Sequence, residues 1–414
     1  ASAALFFLVL AVVMILRPVR EAAGLESGIE NVRKLFLATL AGILLLVPAF
    51  GYLVSHVPRR TFLTACYRAC AVLLLGFYLG FVCLPESARP ALGMVYYVCH
   101  SVFNLFLVSL FWAFMADLFA VSESKRLFPA VAVGGTLGAI AGSAIAWQLA
   151  DRIGATSLFL VAVVLLEAAV WMAAVVARSR SGGADHTQET KPLGGHALAG
   201  VTRLARSPYL MGIALFILLT SVTSTLLYFT ELRIVEAAAE SVEQRTTLFA
   251  GINMWTQVAT LIAQAFVAGR IMRYVGVGTG LAVLPLCCVA GLLTLAAAPT
   301  LVTYTLINAL FRAVQRGITR PARETLFTVL SREDKYKAKS CMDTFVTRVG
   351  DAGGSQVERW LATMAAGAGG LAAVMLPVAA LWAVLGLVLG AAQSRLASAD
   401  GLKREAGRLA HPTP

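Results

Sequence analysis

The chain has 414 residues, of which 59% are hydrophobic and 14% charged, and its formal net charge is +12 at pH 7. Soluble proteins average about 25% charged residues, so this composition excludes an ordinary soluble domain and indicates a membrane protein. The seven cysteines contain no CxxC pair, and the chain has no HExxH or GxSxG motif. We therefore expect no metal site, no cofactor and no enzyme activity.

Apolar segments of about 20 residues, the length that crosses a bilayer, recur along the whole chain. They predict an all-α polytopic membrane protein with twelve transmembrane helices near 2–22, 33–55, 61–83, 91–119, 126–150, 156–178, 208–232, 245–270, 277–298, 300–330, 338–364 and 368–393. A polar, glycine-rich stretch follows the sixth helix and predicts a linker. The expected domains are a six-helix half at 1–178, a cytoplasmic linker at 179–207, a second half at 208–394 and a cytoplasmic tail at 395–414.

The first charges in the apolar sequence are Arg17 and Arg20, after some 16 apolar residues. If the helix continues to about Gly24, they lie three residues apart on one face and project into the outer half of a cavity. If further residues precede Ala1 and complete the span, the two arginines are interfacial. Glu21 can neutralise Arg17 one helical turn away.

Three further charged residues belong to the first half. Arg68, in the third helix, is isolated and needs a partner from another helix. Asp117 lies in the motif FWAFMADLF and is grouped with the gating residues. Glu167, in the sixth helix, is a candidate proton carrier.

Gly134, Gly138 and Gly142 recur every four residues in the fifth helix. Such a pattern lets two helix backbones approach closely. We expect the stripe to pack between the two halves rather than to form a dimer.

The tenth helix carries Arg312, Arg316 and Arg320 at four-residue spacing, with Asn308 one turn before them. A guanidinium forks onto phosphate or carboxylate, so these residues predict a cationic cavity that binds an anion. The alternative is that Arg320 pairs with Glu324. Arg323 and Glu324 also form a candidate salt-bridge gate.

Gly317 and Pro321 interrupt the same helix. Proline removes a helix hydrogen bond and bends the chain, so we expect an irregular, ligand-lining helix here. In the eleventh helix Arg348 and Asp351 are three residues apart and can pair with each other. Asp343 has no obvious partner and is, like Glu167, a candidate proton carrier.

The two halves resemble each other in sequence. The segment ADLFAVSESKR at 116–126 parallels ETLFTVLSREDK at 324–335, and each precedes a glycine pair, at 134–135 and 353–354. Two parallel six-helix repeats are typical of the major facilitator architecture, which has its substrate site between the halves near mid-membrane.

Four segments carry a resemblance to a known family: LRPVREAAG (16–24), FWAFMADLF (111–119), KRLFPAVAVGGTLGAIAGS (125–143) and ITRPARETLFTVLSREDKYKAK (318–339). Together they resemble bacterial relatives of the ATP/ADP antiporters of plastids and intracellular bacteria. The resemblance implies a twelve-helix fold, a bacterial inner-membrane location and nucleotide exchange. Those antiporters depend on intramembrane lysines, whereas the basic residues within the spans here are arginines.

The leading hypothesis is a secondary transporter, an antiporter of the major facilitator type, that moves an organic anion such as a nucleotide by alternating access. One alternative is translocation of a phospholipid or another amphipathic anion. An alternative of another class is a membrane sensor or scaffold without transport. We expect contact with membrane lipids, no nucleic-acid partner and a monomer.

The placement of basic residues predicts the topology. With both termini and the linker in the cytoplasm, nineteen of the 34 lysines and arginines fall on that side and eight on the other, as the positive-inside rule requires. Reporter fusions at Gly183 and Ala406 should both read cytoplasmic, and one at Ala238 external. Opposite signals from the first two would contradict two six-helix halves.

Overall fold

The computed structural model describes residues 1–56, 59–119, 121–180, 207–263, 269–298, 300–330, 338–339, 341–363 and 368–410. All regular structure in these residues is helical, which confirms the all-α fold. The linker expected at 179–207 lies almost wholly outside the described residues.

Helices α1 to α6 form the amino-terminal half. They are α1 (Ser2–Glu26), α2 (Ile29–His56), α3 (Arg59–Cys83), α4 (Arg89–Leu118), α5 (Val121–Ile153) and α6 (Leu158–Arg180). Short 3₁₀ turns at Glu86–Ala88 and Ala155–Ser157 precede α4 and α6.

The helices that follow the predicted linker are α7 (Pro208–Ala238), α8 (Val242–Ala263), α9 (Gly269–Ala297), α10 (Leu301–Val314), α11 (Arg320–Leu326), α12 (Thr347–Thr363) and α13 (Ala368–Ala410). Eight helices of the described chain, α1, α3 to α7, α9 and α13, are long and apolar enough to cross a membrane. The chain is therefore a multi-pass membrane protein.

Two helix ends differ from the prediction. Helix α1 continues past the predicted residue 22 to Glu26, so Arg17 and Arg20 both lie within it. Helix α13 continues to Ala410, and most of the predicted tail is therefore helical. The α13 extension is polar, and hydropathy cannot detect a helix that continues beyond its apolar residues.

The tenth predicted span is interrupted by π-helix at Gln315–Thr319, between α10 and α11. The Arg320 N–H donates to the Gln315 carbonyl, five residues earlier instead of four. Pro321 has no N–H to donate, and its ring crowds the Gly317 carbonyl, so a regular α-helix cannot continue through this point. The expected irregularity is confirmed as a widened turn around Arg316.

A second π-helical segment, Met342–Val346, precedes α12. Both the backbone N–H and the hydroxyl of Thr347 donate to the Met342 carbonyl, the hydroxyl at 3.1 Å. The side chain of Thr347 thus helps to stabilise the wider turn. Proteins retain such turns most often at functional positions.

The described residues pack as two compact units. The first comprises those of 1–188 with 230–258, and the second those of 189–229 with 259–414. Each unit has its own apolar core, which includes Phe111 and Phe159 in the first and Trp382 and Phe327 in the second.

Within the first unit, the glycine stripe of α5 lies against α1. A methyl group on Gly138 would lie 2.1 Å from the Phe7 carbonyl oxygen, and one on Gly142 would lie 2.3 Å from that of Ala11. The expectation that this stripe packs between the halves is therefore wrong. The pattern reveals close packing, but it does not reveal which helix is the neighbour.

The second unit repeats this contact between α12 and α7. A methyl group on Gly350 would lie 3.2 Å from the Leu218 carbonyl oxygen, and one on Gly354 would lie 3.1 Å from that of Val222. The two glycines of α12 lie 212 residues after those of α5, at 350 and 354 against 138 and 142. The residues that they contact lie 211 residues apart, at 218 and 222 against 7 and 11. This correspondence supports the internal duplication.

Gly138→Ala should destabilise the protein, because its methyl group meets backbone that no side-chain rotation can move. We expect a loss of about 1–3 kcal/mol or more, measured as a lower thermal-unfolding midpoint in detergent. The control is Gly76→Ala in α3, where a methyl group meets nothing within 4 Å and alanine favours the helix. Equal midpoints for the two variants would contradict the close contact.

Candidate functional site

The charged residues of α1 form one group. Arg17 Nε lies 3.7 Å from Glu21 Oε1, and Arg20 forms an ion pair with the same carboxylate. The Glu21 side chain is only 3% exposed, and the two arginines are largely buried. The expected pairing of Arg17 with Glu21 is confirmed, and two guanidiniums share one buried carboxylate.

Helix α4 supplies two further contacts to Arg20. Its Nη1 donates to Ser101 Oγ at 3.0 Å, and its guanidinium carbon lies 4.6 Å from the centroid of the Tyr97 ring. Gly24 leaves room for this ring, because a methyl group there would lie 2.7 Å from Tyr97 Cδ2. No sequence motif marks Tyr97 and Ser101 as functional, because polar or aromatic residues one turn apart are common in apolar helices.

Three arginines surround the first π-helical segment. Arg312 Nε donates to the buried Asn308 side chain at 3.2 Å, and Arg316 is half-buried in the widened turn. Arg320 is exposed and forms no ion pair with a described residue. The alternative pairing of Arg320 with Glu324 is thus not formed, and the three arginines differ in environment.

A network of four charged residues joins α11 to the segment that follows it. Arg323 Nη2 lies 3.2 Å from Asp343 Oδ1 and 3.5 Å from Glu324 Oε1. Lys339 Nζ lies 2.6 Å from Glu324 Oε2. The expectation that Asp343 has no nearby partner is wrong, because its partner, Arg323, is 20 residues away in sequence. The geometry agrees with a salt-bridge group at Arg323 and Glu324, to which it adds Lys339.

Arg348 and Asp351 pair on α12, as their spacing predicts, with 3.2 Å between Arg348 Nη1 and Asp351 Oδ2. Ser221, on α7, adds a hydrogen bond of 2.6 Å to Asp351 Oδ1. This polar contact lies beside Gly350, where the backbones of α7 and α12 approach closely.

Glu167 lies on the exposed face of α6, with its Oε2 3.7 Å from Arg68 Nε on α3. The prediction that Arg68 has a partner on another helix is confirmed. Asp117 lies in α4, but its side chain is outside the described part of the structure.

Two buried acids were missed by the sequence analysis. Glu231 on α7 is 5% exposed, and Glu358 on α12 is 6% exposed. Each is a carboxylate in a membrane-type segment. Such a residue is energetically costly and commonly functional, so the sequence alone could have identified both acids as candidates.

A small cavity lies within the first unit where α1 ends and α4 begins. Its volume is about 140 Å³, and Glu26, Arg89 and Glu243 provide its charged lining. Ligand pockets commonly measure about 300–1,000 Å³, so this cavity is too small for a nucleotide.

Solved structures similar to this chain are membrane transporters. The nucleoside transporter NupG matches with a TM-score of 0.64 at 11% identity over 95% of this chain and 98% of that one. A peptide transporter of the POT family matches with a TM-score of 0.60 at 11% identity over 96% of each chain. The helices thus form the fold of the major facilitator transporters.

The family is defined by the sequence. The model of the TLC ATP/ADP transporter family matches residues 27–392, and the chain belongs to this family. ADP,ATP carrier protein 1 of Chlamydia trachomatis is 23% identical over 375 residues, which cover 81% of this chain and 70% of the relative. The counterpart of Chlamydia muridarum is 24% identical over 378 residues, with the same coverage. The protein is a membrane transporter and not an enzyme, as the resemblance implied.

Glu21→Gln should destabilise the protein, because it leaves two largely buried guanidiniums without their shared carboxylate. Breaking a buried ion pair costs about 3–5 kcal/mol, which should lower the thermal-unfolding midpoint. The control is Glu86→Gln. The Glu86 carboxylate lies 3.6 Å from Arg89, and its side chain is 90% exposed. Removing such an exposed ion pair costs about 0–1 kcal/mol. Similar midpoints for the two variants would contradict the structural role of Glu21.

Proposed function

We propose that the protein exchanges adenine nucleotides, ATP against ADP, across a bacterial inner membrane by alternating access. The observation that carries this proposal is the family match over residues 27–392. The similar Chlamydia proteins are named ADP,ATP carriers, and this name suggests the substrate. The charge of the apolar helices agrees with a polyanionic substrate.

In the first unit, Arg17 and Arg20 are the proposed phosphate-binding residues. Because they share one carboxylate, Glu21, a phosphate group that replaces part of this contact would find two guanidinium forks already positioned. Guanidinium binds phosphate through paired N–H donors, which gives both strength and orientation. Ser101 and Tyr97 hold the Arg20 side chain from α4 and are positioning residues in this proposal.

In the second unit, the proposed phosphate-binding residues are Arg312, Arg316 and Arg320, with Asn308. Asn308 orients Arg312 through the 3.2 Å hydrogen bond. Arg316 lies in the π-helical turn, and the widened turn sets the direction of its side chain about the helix axis. The arginine-lined cavity predicted from the sequence is part of this proposal.

The proposed gating residues include those whose ion pairs connect separate segments. The pairs Arg323–Asp343 and Glu324–Lys339 link α11 to the segment that precedes α12, and breaking these contacts would free the two segments. Arg348 and Asp351 on α12, Asp117 on α4 and Glu167 on α6 complete the set predicted from the sequence. The proposed topology has both termini and the 179–207 linker in the cytoplasm, with a six-helix half on each side of that linker.

Exchange is tested with purified protein in vesicles loaded with ADP. We expect external labelled ATP to enter these vesicles and not vesicles without internal nucleotide, because exchange requires a counter-substrate. Labelled phospholipid in the same vesicles measures lipid translocation in parallel. Lipid movement without nucleotide exchange would overturn the proposal in favour of a lipid translocator.

Arg316→Lys should weaken ATP binding and exchange while folding stays nearly intact, because lysine keeps the charge but loses the bidentate fork. Arg316→Ala should abolish exchange. The control is Arg152→Lys at the exposed end of α5, which should exchange at the wild-type rate. Unchanged exchange in Arg316→Ala, with normal thermal stability, would exclude Arg316 from the substrate site, and Arg17 and Arg20 would be the next candidates to test.

A further inference from the structure

One ion pair of the first unit lies on its outer surface. Arg68 on α3 and Glu167 on α6 are 3.7 Å apart, and their side chains are 63% and 47% exposed. Both helices are apolar enough to cross a membrane. The pair therefore lies on the outer surface of two transmembrane helices and not in the interior of the first unit.

The pair also lies far from the ends of its helices. Arg68 is nine residues from the start of α3 at Arg59, and Glu167 is nine residues from the start of α6 at Leu158. At a rise of 1.5 Å per residue, each is about 14 Å from its helix end. The apolar core of a bilayer is about 30 Å thick, so both charges lie near its middle.

The contact within one protomer satisfies these side chains poorly. A separation of 3.7 Å exceeds hydrogen-bond distance, and neither residue has another polar or ionic contact with a described residue. A guanidinium has five N–H donors, and acyl chains accept none of them. A charge exposed to lipid at this depth is costly, so a partner that supplies further polar contacts would be favoured.

The surroundings of the pair are apolar and exposed. Val72 on α3 and Val164 and Trp171 on α6 lie about one turn from the charged residues and are 69%, 68% and 64% exposed. Because α3 and α6 pack against each other, these five residues form one surface, the α3–α6 face.

We propose that the α3–α6 face is the contact surface of a homodimer in the membrane, in which Arg68 of each protomer pairs with Glu167 of the partner subunit. In a two-fold interface residue i meets residue j and residue j meets residue i, so one face that carries both charges is complementary to itself. Each charge would then have two opposite charges beside it, and the four would alternate in sign. A dimer replaces the monomer expected from the sequence, and it does not depend on the identity of the substrate.

The test uses full-length protein that carries donor or acceptor fluorophores at its carboxy terminus, in vesicles at decreasing protein-to-lipid ratios. We expect energy transfer for the wild type to persist on dilution. For Arg68→Leu/Glu167→Leu, self-association should be about tenfold weaker, because two interhelical polar contacts are lost. Absence of association in the wild type, or equal association of the double leucine variant, would overturn the proposal.

Charge exchange separates this arrangement from nonspecific association. Arg68→Glu and Glu167→Arg each give a face of one sign, so neither variant should associate alone. A mixture of the two should associate, because each face then meets its opposite, and so should the double exchange Arg68→Glu/Glu167→Arg. If the single variants insert poorly, the double exchange still decides: its failure to associate would overturn the reciprocal pairing.

Discussion

A charged side chain among apolar helices costs free energy unless it has a partner of opposite charge or a polar contact. The arrangement of this protein's polar groups depends on this constraint. It is met locally in α1, where Glu21 serves two arginines, and in α12, where Arg348 and Asp351 lie less than one turn apart. It is met between distant segments by Arg323 with Asp343 and by Lys339 with Glu324. In the proposed mechanism the substrate uses the same residues, with a bound phosphate that replaces a carboxylate as the partner of a guanidinium.

Close approach of helix backbones determines where these polar groups stand. Glycines of α5 admit the backbone of α1, and glycines of α12 admit the backbone of α7. Without a hydrophobic driving force in lipid, van der Waals contact between such helices is a main source of stability. Arg20 and Glu21 are carried by α1, and the contact of Ser221 with Asp351 bridges α7 and α12. These two close helix pairs thus also hold charged groups in position.

The two π-helical segments lie next to the charged residues of the second unit. One contains Arg316 and the other contains Asp343. Each has a local chemical cause, the missing N–H of Pro321 in the first and the extra donor of Thr347 in the second. In both segments the wider turn changes the direction in which a charged side chain leaves the helix, and π-helical turns are frequent at functional sites.

The sequence by itself determined the class of fold, the approximate positions of most helices, the resemblance between the two halves and the pairs within one helix, such as Arg17 with Glu21. These features follow from hydropathy and from the fixed spacing of residues along a helix. Only the tertiary structure decided that α1 covers the glycines of α5, that Asp343 meets Arg323, and that Arg68 meets Glu167 on an exposed face. Such contacts join residues far apart in the chain, and their partners depend on how the helices pack, which no local pattern encodes.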